Sequence, residues 1–179
     1  MNPILIAGIG NIFHGDDAFG VEVAQRLAAG GLPPGVQAVD FGIRSYDLAY
    51  AIADGCAAVV FVDAVSRGEK PGTLCLLELD PENLDAAAGA INGHSLNPVA
   101  VLQMVRAFGA RLGRLYLVGC EAAVLERDDG EIRLSGPVAA AVPAAVELIG
   151  SLVNRLLEAD AETWANEQPG LAKAAMERS

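Results

Sequence analysis

Residues 57–65, Ala-Ala-Val-Val-Phe-Val-Asp-Ala-Val, form the most apolar strand-like segment of the chain. A run of this kind, without polar alternation, predicts a strand that is buried on both faces. Apolar runs at residues 4–7, 36–41, 73–79 and 114–119 predict further strands, and helical periodicity lies between most of them. Strands that alternate with helices favour a mostly parallel sheet covered on both sides. We therefore expect a three-layer α/β/α fold with a central sheet of about five strands.

The C-terminal part of the chain changes character after a long predicted helix at residues 137–157. Residues 159–179 are polar and mixed in charge, and Pro169-Gly170 interrupts them. We expect a single α/β domain over residues 1–158, followed by a polar tail at residues 159–179 that is mobile. A loosely docked terminal helix is the alternative interpretation of this segment.

Composition restricts the compartment and the partners. The three cysteines are scattered without Cys-x-x-Cys spacing, which indicates small core residues and a cytoplasmic location rather than a disulfide framework. A net charge of −11 would repel a phosphate backbone, so nucleic acid is not an expected partner. The longest apolar stretches are too short for a membrane span, and the N-terminus has no signal-peptide pattern. No membrane partner is expected either.

The opening turn, Gly8-Ile9-Gly10-Asn11-Ile12-Phe13, suggests a dinucleotide-binding loop, with Asp40 in the place of the ribose-binding acid. The third glycine position holds Phe13, however. Asp16 and Asp17 stand at the helix start, where two carboxylates would repel a pyrophosphate. The turn therefore argues against nucleotide binding.

Three residues are candidates for chemistry, and each has an ordinary structural explanation when taken alone. Asp17 fits an acid at a helix start, beside an N-cap at Asp16. Asp63 ends the most buried strand, where a carboxylate is costly unless it caps a loop or binds something. His94 precedes a predicted helix and fits a surface or capping group.

Taken together, the three candidates are more informative. If the first strand lies beside the third, Asp17 and Asp63 face one crevice beyond the carboxyl ends of the strands. A histidine nearby completes a set of two oxygen ligands and one nitrogen ligand, which suits nickel or zinc better than calcium. Nucleophilic catalysis has no support, because no Gly-x-Ser-x-Gly motif occurs and no cysteine has an obvious partner.

At these residues the chain resembles the [NiFe]-hydrogenase maturation proteases. The resemblance begins with Gly8-Ile9-Gly10-Asn11 and Gly15-Asp16-Asp17-Ala18-Phe19-Gly20-Val21. It continues through Val39-Asp40-Phe41-Gly42, Phe61-Val62-Asp63-Ala64, Gly72-Thr73, Gly93-His94-Ser95-Leu96, Leu117-Val118-Gly119-Cys120-Glu121 and Pro137-Val138. It covers the chain to about residue 157. Two departures stand out: some members of the family have Glu where Asp17 stands, and Ala122 replaces a common proline.

The resemblance implies an endopeptidase that removes a C-terminal extension from the precursor of the hydrogenase large subunit after nickel has been inserted. The acid, acid and histidine that contact the metal in the family fall on Asp17, Asp63 and His94. The resemblance also implies that the nickel belongs to the substrate, so no permanent cofactor is expected. Asn11, Asp40 and Gly42 are expected to support these three residues, or alternatively to stabilise turns.

The residues themselves leave the chemistry open. The metal could act as a Lewis acid on the scissile carbonyl or could activate water, and Asp17 or Asp63 could instead be the base. Two other functions remain as alternatives: a non-catalytic chaperone that checks nickel insertion, and a metal-dependent hydrolase of an unrelated substrate.

Overall fold

A computed structural model of the protein describes residues 2–83, 97–125 and 133–167; for residues 160–167 it describes the backbone alone. Its sheet has five strands in the order β2-β1-β3-β5-β4. The strands are, along the chain, β1 (Ile4–Ile9), β2 (Val36–Gly42), β3 (Ala58–Val65), β4 (Leu74–Leu79) and β5 (Arg114–Glu121). Only β4 is antiparallel to its neighbour within this sheet. The predicted α/β class, with a mostly parallel sheet of about five strands, is confirmed.

Four α-helices lie in the described parts of the chain: α1 (Phe19–Gly30), α2 (Ser45–Ala53), α3 (Pro98–Ala107) and α4 (Gly136–Glu167). The buried side chains of α2 and α3 share one cluster with the odd-numbered residues of β1, such as Leu5 and Ile9. The buried apolar side chains of α1 lie outside that cluster. Helices therefore cover both faces of the sheet, as the continuous burial of β3 requires.

The helix predicted for residues 137–157 continues to Glu167. The chain divides into two compact units, Met1–Val146 and Glu147–Ser179, and the division falls within α4. The first unit contains the whole sheet, and the described part of the second unit is helical. The mobility predicted for residues 159–179 stays a prediction.

Part of α4 corrects the expectation that every apolar stretch is too short for a membrane span. The segment Gly136–Ala159 is long and apolar enough to cross a membrane, with a mean hydropathy of 1.6, and 39% of its most apolar window is buried. A buried core helix of a globular protein passes the same test. The segment is therefore weak evidence for a span.

Parallel pairing places the carboxyl ends of β1 and β3 next to each other. Ile4 pairs with Ala58, and the register continues to Gly8 beside Val62. In the sheet, β2 lies on one side of β1 and β3 lies on the other. A crevice therefore opens beyond the carboxyl ends of these strands. Asp63 lies just after Val62, at the edge of that crevice.

Candidate functional site

The turn that follows β1 packs tightly against the ends of β1 and β3. A 3₁₀ turn, Gly15–Ala18, leads directly into α1. A Cβ atom at Gly20 would lie 2.0 Å from the carbonyl oxygen of Val62 and 2.4 Å from that of Ile9. A Cβ atom at Gly10, where φ is +128°, would lie 1.8 Å from the carbonyl oxygen of Asp17. Only glycine allows this approach, so these two positions require glycine for close backbone packing.

The structure corrects the prediction that Asp16 or Asp17 caps α1. Ala18 occupies the N-cap position of α1, and no side chain makes a capping hydrogen bond there. Asp17 instead accepts a hydrogen bond at Oδ2 from the backbone N–H of Asn11, at 2.7 Å. The side chain of Asp17 is therefore drawn toward the loop at the end of β1. Asp17 as a whole is 1% exposed.

Asp63 is a buried carboxyl group with an unsatisfied oxygen. It lies within β3 at 3% exposure, and its Oδ2 atom has no hydrogen-bond partner among the described residues. Burial raises the pKa of Asp63 well above its ordinary value, and the negative charge of Asp17 raises it further. The backbone N–H of Ala64 lowers the pKa, but by less than the other two effects raise it. A cation bound at this buried oxygen would stabilise the ionised form of the carboxyl group.

Two of the three predicted ligands therefore come together. Asp17 reaches the crevice from the turn after β1 and Asp63 reaches it from β3, as the predicted pairing of the first and third strands requires. His94 lies outside the described residues. Within residues 2–83, 97–125 and 133–167, no group of three His, Cys, Asp or Glu side chains could hold a metal ion.

The three predicted supporting residues line one cleft of about 270 Å³ beside the crevice. Asn11 holds Asp17 through its backbone N–H and accepts the Phe13 N–H at its side-chain oxygen, at 3.0 Å. Asp40 accepts a hydrogen bond from Gln25 at 3.0 Å. Gly42 has a φ of +55° and accepts the N–H of Gly10 through its carbonyl oxygen, at 3.0 Å. The contact between Gly10 and Gly42 joins the loop after β1 to β2, and the contact between Asn11 and Asp17 links the cleft to the site.

The remaining surface of this cleft is partly apolar. Phe13 is 63% exposed and Ile43 is 58% exposed, and both line the cleft. Arg44 also lines it, with its guanidinium group donating to the carbonyl oxygen of Asp40. The cleft therefore offers exposed apolar side chains next to a site formed by carboxylates.

Two buried carboxylates at this edge of the sheet were not singled out from the sequence. Asp16 is fully buried and Glu121 is 4% exposed. Glu121 accepts hydrogen bonds from the backbone N–H groups of Arg67 and Gly68, at 2.9–3.0 Å. The position of Glu121 at the end of a predicted strand was an available signal, because the same reasoning identified Asp63. Nothing in the sequence spacing connects Asp16 to its partners.

The cysteines have the predicted structural role. All three are free thiols, and Cys56 and Cys120 are buried. Burial, with the nearby charge of Asp16, raises the pKa of Cys120 to about 12. A thiol with so high a pKa is protonated at neutral pH and is a poor nucleophile.

Comparison with known proteins adds a consistent set of relatives. A family model described as hydrogenase maturation protease matches residues 21–152. The hydrogenase 2 maturation protease of Escherichia coli is 30% identical over 147 residues, which cover 82% of this chain and 87% of that protein.

Solved structures agree with this result. The hydrogenase maturating endopeptidase HybD from E. coli superimposes with a TM-score of 0.70 at 27% identity, covering 86% of this chain and 93% of that one. The hydrogenase 2 maturation peptidase of a Thaumarchaeota archaeon gives a TM-score of 0.65 at 30% identity, covering 85% and 98% of the two chains.

Proposed function

Because this chain belongs to the hydrogenase maturation protease family, we propose that it is an endopeptidase that removes the C-terminal extension of a [NiFe]-hydrogenase large-subunit precursor once nickel has been inserted. The single observation that best supports a metal-directed reaction is the unsatisfied Oδ2 atom of Asp63, which is buried beside Asp17. A shared cation stabilises two neighbouring buried carboxylates more than a neutral ligand does, because it offsets both negative charges.

In this proposal the nickel is part of the substrate, and Asp17, Asp63 and His94 reach it when the precursor docks. The metal, as a Lewis acid, supplies polarisation of the scissile carbonyl or activation of water. Asp63 must give up its proton to bind, because carboxylate ligands are deprotonated. The raised pKa of Asp63 therefore makes binding by the free protein weak, and it favours engagement only where the precursor supplies further ligands.

The expected partner is the nickel-loaded precursor, and no permanent cofactor is proposed. The exposed apolar side chains of the cleft, such as Phe13 and Ile43, are the proposed contacts for the polypeptide next to the cleaved bond. We propose a cytoplasmic location because the three thiols are free.

The proposal is tested by incubating the purified protein with nickel-loaded precursor and measuring the mass of the large subunit. Loss of a C-terminal peptide supports the endopeptidase. Binding without any change in mass would instead establish the chaperone alternative. Hydrolysis of unrelated peptides, with the precursor left intact, would establish a hydrolase of another substrate.

A further inference from the structure

Asp16 joins three separate segments of the protein at the edge of the site. Its Oδ2 atom accepts the backbone N–H groups of Ala123 and Val124, at 2.8 and 2.9 Å, and the hydroxyl of Ser135, at 2.9 Å. Its Oδ1 atom accepts the backbone N–H of Ser135, at 2.6 Å. The backbone N–H of Asp16 also donates to the carbonyl oxygen of Val124, at 2.9 Å. Asp16 thus links the 3₁₀ turn to the loop after β5 and to the residues that precede α4.

This pattern requires a carboxylate. Both oxygens of Asp16 accept a backbone N–H, so an amide side chain would direct its own NH₂ group at a donor in either orientation. A buried carboxylate with four donors is fully satisfied, and bonds to an ionised acceptor are stronger than neutral ones. Replacement by Asn therefore removes hydrogen bonds and introduces repulsion, at little change in volume.

The opposite side of the turn is held by close backbone packing. Gly20 lies against Val62, and Gly10 lies against the carbonyl oxygen of Asp17. Between these two fixed sides stands Asp17, the residue that follows Asp16 within the same turn. The hydrogen bond from the Asn11 N–H to Oδ2 reports the position of its carboxylate.

We propose that Asp16 is the positioning residue of the site: by fastening the turn to the loop after β5, it fixes the carboxylate of Asp17 against Asn11. Its relevance to cleavage rests on the proposed function, whereas the geometric claim does not. The substitution Asp16→Asn is expected to release Asp17 while leaving the core of the sheet in place.

The test is amide hydrogen exchange in Asp16→Asn, with the Asn11 N–H as the local reporter and the Val60 N–H, in the middle of β3, as the global one. If Asp16 only stabilises the fold, its replacement increases the exchange rates of both amides by the same factor. If Asp16 positions Asp17, its replacement increases the exchange rate of the Asn11 amide about tenfold more than that of the Val60 amide. This factor corresponds to the free energy of the lost hydrogen bonds.

The matched control is Glu121→Gln, which also converts a buried carboxylate that accepts backbone N–H groups into an amide. Its partners, Arg67 and Gly68, lie on the loop after β3, so the ratio of the Asn11 to the Val60 exchange rate should not change. If Asp16→Asn does not fold, Ser135→Ala takes its place. That variant removes one donor and should raise the ratio about threefold.

Cleavage provides the second measurement. With nickel-loaded precursor, Asp16→Asn should lower kcat about a hundredfold at an unchanged KM, the effect of a displaced reacting group. An unchanged exchange ratio in Asp16→Asn, or in Ser135→Ala where that variant takes its place, would overturn the positioning role whatever the kinetics. A wild-type protein that does not cleave would refute the proposed function alone, since the exchange ratio would still decide the role of Asp16.

Discussion

Asp17 and Asp63 lie close enough, in the turn after β1 and within β3, for the negative charge of Asp17 to raise the pKa of Asp63. The chain separates the two residues by a helix, a strand and a second helix, and the parallel pairing of β1 with β3 brings them together. The predictions below follow from this juxtaposition and from the packing that maintains it.

The substitution Asp63→Asn should stabilise the protein at neutral pH. A carboxyl group whose pKa is raised on folding contributes stability below its unfolded pKa, about 3.9, and this contribution is lost as pH rises through the folded value. Asn does not titrate, so the melting temperature of the variant should rise relative to that of the wild type as the pH increases above about 4. A wild type that stays the more stable protein at pH 8 would show that Asp63 has a stabilising partner.

The same substitution should lower the rate of cleavage of the nickel-loaded precursor by orders of magnitude, while the fold is retained. The reason is that an amide keeps the shape of Asp63 but cannot supply a negative oxygen ligand. His94→Ala should have the same effect. Asp54→Asn, which changes an exposed acid at the C-terminal end of α2, is the matched control and should cleave like the wild type. Normal cleavage by Asp63→Asn would assign Asp63 to structure alone.

Close packing of the turn predicts a large cost for Gly20→Ala. The added methyl group would overlap two carbonyl oxygens, so unfolding should become easier by about 3 kcal/mol. Gly30→Ala is the control within the same helix, because a Cβ atom there meets nothing within 4 Å. It should be neutral or slightly stabilising, since Ala has the higher helix propensity. The free energy of unfolding of both variants is measured by urea denaturation. Equal changes in Gly20→Ala and Gly30→Ala would contradict the packing described for Gly20.

Much of the fold could be read from the sequence because it depends on local apolar patterns. The continuous run at β3 and the alternation of strands with helices predicted the parallel sheet. The position of Asp63 at the end of a buried strand predicted a carboxyl group that is costly to bury without a partner. The beginning of α3 carried a readable signal as well, because Asn97 caps that helix and Pro98 follows it.

Other features could not be read because they depend on contacts distant in sequence. Asp16 and Asp17 looked like caps of α1, yet Asp16 bonds to Val124 and Ser135, residues whose proximity depends on the sheet order. Helix-start acids give the same local pattern whether they cap a helix or hold a loop.

Truncation after Glu158 should leave the midpoint of thermal unfolding nearly unchanged. Residues 159–179 lack the apolar periodicity of residues 137–157, so we expect them to bury little apolar surface and to contribute little stability. Differential scanning calorimetry of the shortened chain checks this expectation. A large drop in the midpoint would mean that the segment packs on the rest of the protein. Loss of cleavage at an unchanged midpoint would place the segment in the precursor-binding surface.

The most direct test of the central claim is to compare nickel-loaded and nickel-free precursor as substrates of the same purified protein. The mass of the large subunit is measured after incubation, with a chelator present in the nickel-free reaction. Recognition of substrate-bound nickel by Asp17, Asp63 and His94 predicts that only the loaded precursor loses its C-terminal peptide. It also predicts a decline below about pH 6, where a histidine ligand becomes protonated. Efficient cleavage of nickel-free precursor in the presence of the chelator would contradict the account.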